Sequence, residues 1–236
     1  MIRLYVKTPL VQHNSFVLSD QQSHYLQKVM RLKEGDKLLV FNGSYGEWVA
    51  TVKELSKKIT VLQTIEQTRL CQEELDLWLL FSPLKPKRQA FLEEKATELG
   101  ATDLWPVRCE RTVVTSLNTA KMEAHIIEAA EQSGRLTLPA LRPLMTLPEL
   151  LETWPQERVL LFGDETRTAP SLGALSFEST GSYAFFVGPE GGFSPHEFSL
   201  LRSHPSFQGV TLNPNILRAE TAALAGLAYL QLRSNA

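Results

Sequence analysis

The sequence has few of the residues that mark metal-binding, exported or membrane-spanning proteins. Two cysteines, Cys71 and Cys109, and five scattered histidines occur among its 236 residues. Neither cysteine has a second cysteine or a histidine at zinc-ligand spacing, so we predict no metal site. The N-terminal residues lack a signal-peptide pattern, and no apolar run approaches the length of a bilayer span. We therefore expect a cytoplasmic protein whose two thiols are reduced.

Several common nucleotide-binding and hydrolytic motifs are also missing. The glycines do not follow the Gly-x-Gly-x-x-Gly spacing of dinucleotide-binding folds, and no Gly-x-x-x-x-Gly-Lys-Ser/Thr phosphate loop occurs. The Gly-x-Ser-x-Gly turn of α/β-hydrolases is missing too. A hydrolase is therefore the least favoured class of enzyme.

The net charge is small but unevenly distributed along the chain. It amounts to −2, yet residues 1–70 contain 10 Lys and Arg against 6 Asp and Glu, while the remainder contains 14 against 20. A local basic excess can attract nucleic-acid phosphates even when the whole chain is slightly acidic. On charge alone, an ordinary solvated surface explains the excess equally well.

The chain divides into two parts with different hydrophobic patterns. The first part alternates as strands do, with one helix from Ser19 or Asp20 to Leu32, which predicts a small β-barrel or sandwich over residues 1–70. Its predicted strands are Arg3–Lys7, Lys37–Phe41, Glu47–Glu54 and Lys58–Glu66. The polar stretch Thr68–Glu74 is the predicted linker.

From residue 75 to residue 236, buried strands alternate with helices. This alternation predicts an α/β domain with a mainly parallel sheet. The predicted strands are Asp76–Phe81, Leu104–Val107, Arg158–Phe162, Tyr183–Val187 and Gly209–Leu212. The predicted helices are Pro86–Leu99, Thr119–Ser133, Ser194–His204 and Ala219–Leu232, with Gly100 as a left-handed cap of the first.

A glycine-rich loop, Gly188-Pro189-Glu190-Gly191-Gly192, follows one of the predicted buried strands. The next helix is announced by Ser194 with Glu197 three residues later, the pattern of a capping box. Ligands of open α/β sheets bind beyond the carboxyl ends of strands, where glycines let backbone amides come close. The spacing therefore predicts a ligand site, although a tight turn before a helix fits it equally well.

A second loop precedes a helix that is rich in alanine. Arg218, Glu220 and Thr221 are polar residues at the start of this helix, where burial without partners would be costly. They indicate a functional site. A tightly packed core helix is the alternative explanation for the small residues that follow.

These segments together resemble the RsmE family, the small-subunit ribosomal RNA uracil-N3 methyltransferases of the SPOUT superfamily. The resemblance covers nearly the whole chain, with its motifs in the same order and at matching spacing. They are His24-Tyr25-Leu26 with Val29-Met30-Arg31, Lys95–Gly100, Pro106-Val107 with Glu110-Arg111, Ala130–Arg135 with Pro139, Gly188–Ser194 and Ile216–Ala222.

The resemblance implies a PUA-like RNA-binding β-barrel over residues 1–70 and a SPOUT methyltransferase domain with a C-terminal trefoil knot over residues 75–236. It also implies a homodimer that methylates a uridine of 16S ribosomal RNA, in the assembled subunit, with S-adenosylmethionine as methyl donor. The expected cofactor-binding residues are Leu161, Phe162, Gly188, Pro189, Glu190, Gly191, Gly192, Leu212, Asn213, Ile216, Leu217 and Arg218.

The chain departs from the family pattern at one place. The family usually has Leu-Gly-x-Arg before the Ile216-Leu217-Arg218 segment, whereas this chain has Leu212-Asn213-Pro214-Asn215. Asparagine tolerates a left-handed backbone, so we expect Asn213 to keep the turn in that conformation. The contact that the family's arginine makes is missing at Asn215.

The resemblance also suggests roles for individual side chains. We expect Arg218 to stabilise negative charge that develops on the uracil ring. Glu220 is either the proton acceptor or a plain partner of the helix dipole. The expected RNA-binding residues, each of which also fits an ordinary solvated surface, are Arg3, His24, Lys28, Arg31, Arg111, Gln132 and Arg135.

Two other functions remain open at this point. A SPOUT methyltransferase that acts on another RNA position or on a ribose oxygen would have similar motifs. An RNA-binding or ribosome-assembly protein that kept the fold and lost catalysis would fit the departure at residues 213–215.

Overall fold

A computed structural model describes residues 1–56, 59–175 and 181–234 of the chain. It divides into two compact units, Met1–Glu73 with Ala130–Leu138, and Glu74–Ala129 with Pro139–Ala236. The first unit ends at Glu73, within the predicted linker, and the segment Ala130–Leu138 groups with this unit although it lies in the middle of the second predicted domain.

The N-terminal unit contains a five-stranded sheet and one short helix. The strands are β1 (Arg3–Tyr5), β2 (Ser15–Val17), β3 (Lys37–Asn42), β4 (Gly46–Leu55) and β5 (Thr60–Arg69), in the order β1-β3-β4-β5-β2. Strand β1 pairs with β3 in parallel, and the other neighbours are antiparallel. Lys58, the first residue of the fourth predicted strand, lies outside the described residues.

Helix α1 (Asp20–His24) begins where the sequence predicts, with Ser19 as N-cap and Gln22 completing a capping box. It continues into a π-helical turn over Tyr25–Val29 instead of an α-helix to Leu32. The fully buried Leu26 in this turn joins the alternating inward residues of the sheet, which explains why the segment stays helical. The other fully buried side chains of this core include Leu38, Val40, Ala50 and Leu62.

The segment Ala130–Leu138 is tied to β1 through the side chain of Arg3. The Arg3 guanidinium donates hydrogen bonds to the carbonyl oxygens of Ala130, Glu131 and Arg135, at 2.7 to 3.1 Å. Its Nε donates to Glu47 at 2.7 Å. The three bonds to carbonyl oxygens connect residues more than 120 positions apart, so local sequence patterns do not reveal them.

The second unit contains a seven-stranded sheet in which each assigned neighbouring pair is parallel, as the alternation of elements predicts. Its strands are β6 (Leu77–Phe81), β7 (Asp103–Arg108), β8 (Ala140–Leu141), β9 (Met145–Thr146), β10 (Val159–Gly163), β11 (Tyr183–Val187) and β12 (Phe207–Val210). The order is β12-β10-β11-β6-β7-β8, and β9 also pairs with β7.

The helices of this part of the chain are α2 (Pro86–Glu98), α3 (Thr119–Ser133), α4 (Leu147–Thr153), α5 (Pro195–Ser203) and α6 (Ala219–Ser234). Gly100 adopts the predicted left-handed conformation after α2, with φ of +84°. Strand β12 ends at Val210, two residues before the predicted end at Leu212. Sequence periodicity did not predict β8, β9 or α4, because these elements are two to seven residues long.

The central strands are buried on both faces, as parallel strands covered by helices should be. All five residues of β11 are buried, and the adjacent Phe185 and Phe186 are fully so. Helix α6 packs directly on this strand, since a Cβ added at Gly226 would lie 2.5 Å from the Phe185 ring. The carboxyl ends of β10, β11, β12 and β6 consequently lie at one edge of a rigid sheet.

Membrane-spanning helices and metal-binding clusters are both absent from the described residues. No helix there is long and apolar enough to cross a membrane. Likewise, no three His, Cys, Asp or Glu side chains of the described ranges are grouped so that they could hold a metal ion.

Candidate active site

Three loops that follow neighbouring strands of the second sheet line one cavity. They follow β10, β11 and β12, and Arg88 from the start of α2 also borders the cavity. The loop residues on the cavity wall include Gly163, Asp164, Glu165, Arg167, Gly188, Pro189, Glu190, Gly192, Thr211, Leu212, Asn213, Asn215, Ile216, Leu217 and Arg218. Two residues from α6, Ala219 and Ala222, complete the wall.

The glycine-rich loop, residues 188–192, is compact because two of its positions leave no room for a side chain. Gly192 has φ of +70°, and a Cβ there would lie 1.9 Å from Oε1 of Glu165. A Cβ on Gly188 would lie 3.0 Å from the ring of Phe193. The loop closes with a hydrogen bond of 2.8 Å from the Gly192 amide to the Pro189 carbonyl. The left-handed backbone at residue 192 favours glycine, and the nearby Phe193 ring favours glycine at residue 188.

Two arginines hold the glycine-rich loop from the side of the neighbouring strands. Arg88, after β6, forms an ion pair with Glu190, and Arg111, after β7, donates a hydrogen bond of 2.9 Å to the Gly191 carbonyl. The loop is therefore anchored at two successive residues. Such anchoring preorganises the backbone amides that border the cavity.

The helix after the loop begins with the predicted capping box. Ser194 caps α5, and one carboxylate oxygen of Glu197 accepts a hydrogen bond of 2.8 Å from the Ser194 amide. The other oxygen of Glu197 accepts a hydrogen bond of 2.8 Å from the Glu110 amide. The buried Glu197 therefore links the end of the glycine-rich loop to the segment that carries Arg111.

Glu220 is a buried carboxylate in the first turn of α6. It is 8% exposed, and its Oε1 lies 3.6 Å from Nε of Arg88. Its Oε2 is buried and accepts no hydrogen bond from the described residues. Since buried polar atoms are nearly always paired in folded proteins, this oxygen is available to a donor from outside the described residues.

Asp164 lies at the end of β10 and is held by several donors. Thr166 donates through its amide at 2.8 Å and its hydroxyl at 2.6 Å, and Arg202 donates at 2.7 Å. Burial opposes ionisation of this carboxyl group, but the hydrogen bonds from Thr166 and Arg202 outweigh it and hold the Asp164 pKa below its usual range. Asp164 therefore contributes a negative charge at a fixed position to the cavity wall.

The turn in the loop after β12 is stabilised by a hydrogen bond and not by the predicted left-handed backbone. Asn213 does not adopt a left-handed backbone, so that expectation is wrong. Its side-chain Oδ1 instead accepts a hydrogen bond of 2.8 Å from the Asn215 amide. This is an Asx turn, in which an asparagine side chain takes the place of a backbone carbonyl.

The same loop presents Ile216 and Arg218 at the cavity. Both side chains are exposed, Ile216 by 68%. Next to β10, a Cβ added at Gly163 would meet no heavy atom within 4 Å, so the space beside this glycine is open. The cavity therefore combines an exposed cation, an apolar rim and room for a ligand close to the backbone.

Comparison with known proteins matches both parts of the chain to RNA methyltransferase families. Residues 71–231 match the RNA methyltransferase domain, and residues 18–63 match the RNA methyltransferase PUA domain. Ribosomal RNA small subunit methyltransferase E of Rickettsia conorii is 32% identical over 98% of this chain and 95% of its own length. The chain belongs to the ribosomal RNA small subunit methyltransferase E family.

Two further members show how far the likeness extends. The Synechocystis protein of the same name is 35% identical and matches over 97% of this chain and 76% of its own length. The crystal structure of the Neisseria gonorrhoeae enzyme, bound to S-adenosyl methionine, superposes with a TM-score of 0.89 at 31% identity. It covers 98% of this chain and 97% of the Neisseria chain, so the methyltransferase E fold extends over both units.

The predicted cofactor residues of this methyltransferase E chain fall into two groups. Nine of the twelve line the cavity: Gly188, Pro189, Glu190, Gly192, Leu212, Asn213, Ile216, Leu217 and Arg218. Leu161 and Phe162 are fully buried in β10, and the residues that follow them line the cavity instead. Gly191 is exposed beside Arg111 and lies outside the cavity wall.

The predicted RNA-binding residues are likewise dispersed. His24 and Lys28 are exposed on the helical segment of the N-terminal unit. Arg31 is exposed just after this segment, and its φ of +54° is unusual for a residue with a side chain. Gln132 is exposed at the end of α3. The partly exposed Arg135 donates to Thr137 at 3.1 Å.

Arg3 and Arg111 have structural partners. The Arg3 side chain is 11% exposed and lies 4.1 Å from the centre of the Phe41 ring, in addition to its four hydrogen bonds. This geometry favours a structural role for Arg3 over a phosphate contact. Arg111 is exposed, and its bond to Gly191 uses one of its five donors.

Sequence reasoning missed four residues that line the cavity with charged side chains: Arg88, Asp164, Glu165 and Arg167. The last three follow β10 directly, so the rule that ligands bind beyond strand ends could have found them. Arg88 follows β6, and the adjacent Lys85 and Lys87 made that stretch conspicuously basic. Cys109 offers no alternative chemistry, because burial raises the pKa of its thiol to about 12.

Proposed function

We propose that this chain transfers the methyl group of S-adenosylmethionine to N3 of a uracil base in small-subunit ribosomal RNA. The single observation that carries the proposal is the cavity built from three strand-end loops, with Arg218 on its wall and Arg88 between that wall and Glu220, whose Oε2 accepts no hydrogen bond from the described residues. The family membership supplies the substrate class, since its members are named for methylation of small-subunit ribosomal RNA.

The residues around the cavity fit S-adenosylmethionine. Gly163 leaves an open space that a Cβ would fill, and the Neisseria relative was crystallised with this compound. The backbone of residues 188–192 and 211–218 would hold the adenine and methionine parts, with Leu212 and Leu217 as apolar contacts. When bound, S-adenosylmethionine supplies an electrophilic methyl group on a sulfonium.

The chemistry left to the protein is placement and charge. We propose that Arg218 stabilises the negative charge that develops on the uracil oxygens as N3 loses its proton. A guanidinium on an exposed loop can approach a base that has been turned out of its stack, and an N3 atom involved in pairing is reached only in that way.

Glu220 is the proposed acceptor of the N3 proton. An ionised carboxylate has acceptor sites only, and Oε2 of Glu220 is unused by the described residues. Arg88 and the N-terminal end of α6 both interact favourably with this carboxylate. The proton would therefore move from the uracil nitrogen to a carboxylate that is already prepared to receive it.

We propose that the RNA is held by His24, Lys28 and Arg31 in the N-terminal unit, with Arg111, Gln132 and Arg135 as further contacts. The first three are exposed and lie within eight residues of one another, which supports a shared surface for phosphates. Arg3 is not part of this proposal, because its donors are engaged within the N-terminal unit.

Several finer features of the family are proposed for this chain as well. They are a barrel-like closure of the N-terminal sheet, a trefoil knot through the loops after β10, β11 and β12, a homodimer, and the assembled small subunit as substrate. The adjacency of β12, β10 and β11 in the sheet supports the knot, since it brings the three loops to one cavity. Knots are otherwise rare in proteins.

The test compares the unsubstituted protein with Arg218→Ala on small subunits that lack the modification, using S-adenosylmethionine with a labelled methyl group. We expect label in the RNA with the unsubstituted protein and a loss of about 100-fold or more in kcat with the variant. The melting temperature and the calorimetric Kd for S-adenosylmethionine should change little. Full activity in Arg218→Ala would remove the residue from its catalytic role, and no label with the unsubstituted protein would contradict the function.

A further inference from the structure

The guanidinium of Arg88 lies between two carboxylates that belong to different parts of the active site. It forms an ion pair with Glu190 in the glycine-rich loop, and its Nε lies 3.6 Å from Oε1 of Glu220 at the start of α6. One cation after β6 therefore joins the loop after β11 to the helix after β12. Arg88 itself lines the cavity, with a side chain that is 34% exposed.

The position of Arg88 is unfavourable for the helix that carries it. Arg88 is the third residue of α2, whose first turn contains no acidic residue and whose N-cap, Lys85, makes no capping hydrogen bond with its side chain. The positive end of a helix dipole repels cations, so basic residues here oppose helix formation. A basic residue at this unfavourable helix position that also contacts two parts of the active site is expected to have a functional role there.

The contact between Arg88 and Glu220 leaves one carboxylate oxygen free. Arg88 faces Oε1, while Oε2 is buried and lacks a hydrogen bond from the described residues. The contact between the guanidinium and Oε1 restricts rotation of the carboxylate. Oε2 is thereby held ready for a donor in one orientation.

We propose that Arg88 is a positioning residue, which holds the Glu220 carboxylate and the glycine-rich loop in one arrangement so that Oε2 of Glu220 receives the uracil N3 proton. This inference rests on the proposed function of Glu220. Arginine suits the task because its planar fork can meet two carboxylates with different nitrogens, whereas the ammonium of lysine is a point charge.

The test uses Arg88→Gln, Glu220→Gln and the double variant in the full chain, with Lys87→Gln as the matched control. Lys87 is an exposed cation one residue away that does not line the cavity. We expect kcat to fall about 10-fold or more in Arg88→Gln, while the KM for small subunits changes much less, because a misplaced acceptor affects chemistry more than binding. Lys87→Gln should keep the kcat of the unsubstituted protein.

The double variant distinguishes positioning from a general structural role. If Arg88 acts through Glu220, adding Arg88→Gln to Glu220→Gln should lower kcat little beyond Glu220→Gln alone. Arg88→Lys should restore part of the loss, and it is the deciding variant if the melting temperature shows that Arg88→Gln loosens the fold.

Three results would overturn the inference. They are an unchanged kcat in both Arg88 variants, losses that multiply in the double variant, and full activity of Glu220→Gln. Each of these presupposes an active unsubstituted protein. An unsubstituted protein that binds S-adenosylmethionine and methylates nothing would instead contradict the proposed function, and the inference with it.

Discussion

Replacing Gly163 with alanine should weaken ligand binding without destabilising the fold. Gly163 ends β10 and lines the cavity, and a Cβ there would meet no heavy atom within 4 Å. Its backbone is outside the left-handed region, so alanine can adopt it without strain. The free energy of unfolding should stay the same or rise by up to about 1 kcal/mol, because alanine restricts the unfolded chain.

The added methyl group should weaken ligand binding. It would occupy part of the cavity, and one methyl or methylene group in a closely fitting pocket changes binding by about 1–3 kcal/mol. This corresponds to a Kd for S-adenosylmethionine that is roughly 5- to 150-fold higher. Isothermal titration measures the Kd, and thermal unfolding without ligand measures the stability.

Gly173→Ala is the matched control for this substitution. Gly173 is exposed in a 3₁₀ turn, lies outside the cavity wall, and has Ser171 Oγ at 3.8 Å as the nearest heavy atom to an added Cβ. Its Kd should equal that of the unsubstituted protein. A Gly163→Ala variant that is folded and binds as tightly as the unsubstituted protein would refute the reasoning, because the ligand would then not use the space beside Gly163.

Three further predictions concern the RNA surface, the core and acid stability. Arg31→Gly should keep the unfolding free energy or raise it by about 1 kcal/mol, because glycine relieves a left-handed backbone. The same substitution should weaken RNA binding and reduce the slope of log K against log salt concentration by about one. An unchanged slope would exclude Arg31 as a phosphate contact. Gly226→Ala should lower the unfolding free energy measured by urea denaturation by about 1–2 kcal/mol, because the added Cβ would lie 2.5 Å from Phe185. This overpacking outweighs the gain in helix propensity. A more stable variant would contradict this packing. The pKa of Asp164 is lower in the folded protein than its value of about 3.9 in the unfolded chain, so the ionised carboxylate contributes stability that is lost as the pH falls through the folded-state pKa. Asp164→Asn should therefore be less stable at pH 7 and should lose stability less steeply below about pH 4. Parallel pH profiles of the two proteins in denaturant unfolding would count against this prediction.

Local signals in the sequence predicted the parts of the site that depend on neighbouring residues. The glycine-rich loop, the Ser194 capping box and the start of α6 each lie within a few positions, and their geometry follows from backbone rules. Asn213 shows the limit of such rules. Its turn was predicted, but the hydrogen bond that forms it was not, because asparagine can serve a turn in two ways.

Contacts between distant residues could not be predicted in the same manner. Arg88 meets Glu190 across 102 positions because β6 and β11 are parallel neighbours whose carboxyl ends lie side by side. Hydrophobic periodicity does not predict the order of strands in a sheet, so the partners of Arg88 could not be predicted from it. Arg3 is a similar case, since its expected RNA contact gave way to carbonyl oxygens of Ala130–Leu138 in the same unit.

The most direct test of the proposed function is mass-spectrometric analysis of nucleosides from small subunits treated with the purified protein and S-adenosylmethionine. The proposed function predicts that 3-methyluridine appears and that Arg218→Ala does not produce it. A methyl group on a ribose oxygen or on another base would contradict the uracil-N3 assignment. No methylated nucleoside, from a folded protein that binds S-adenosylmethionine, would contradict methyl transfer to this RNA altogether.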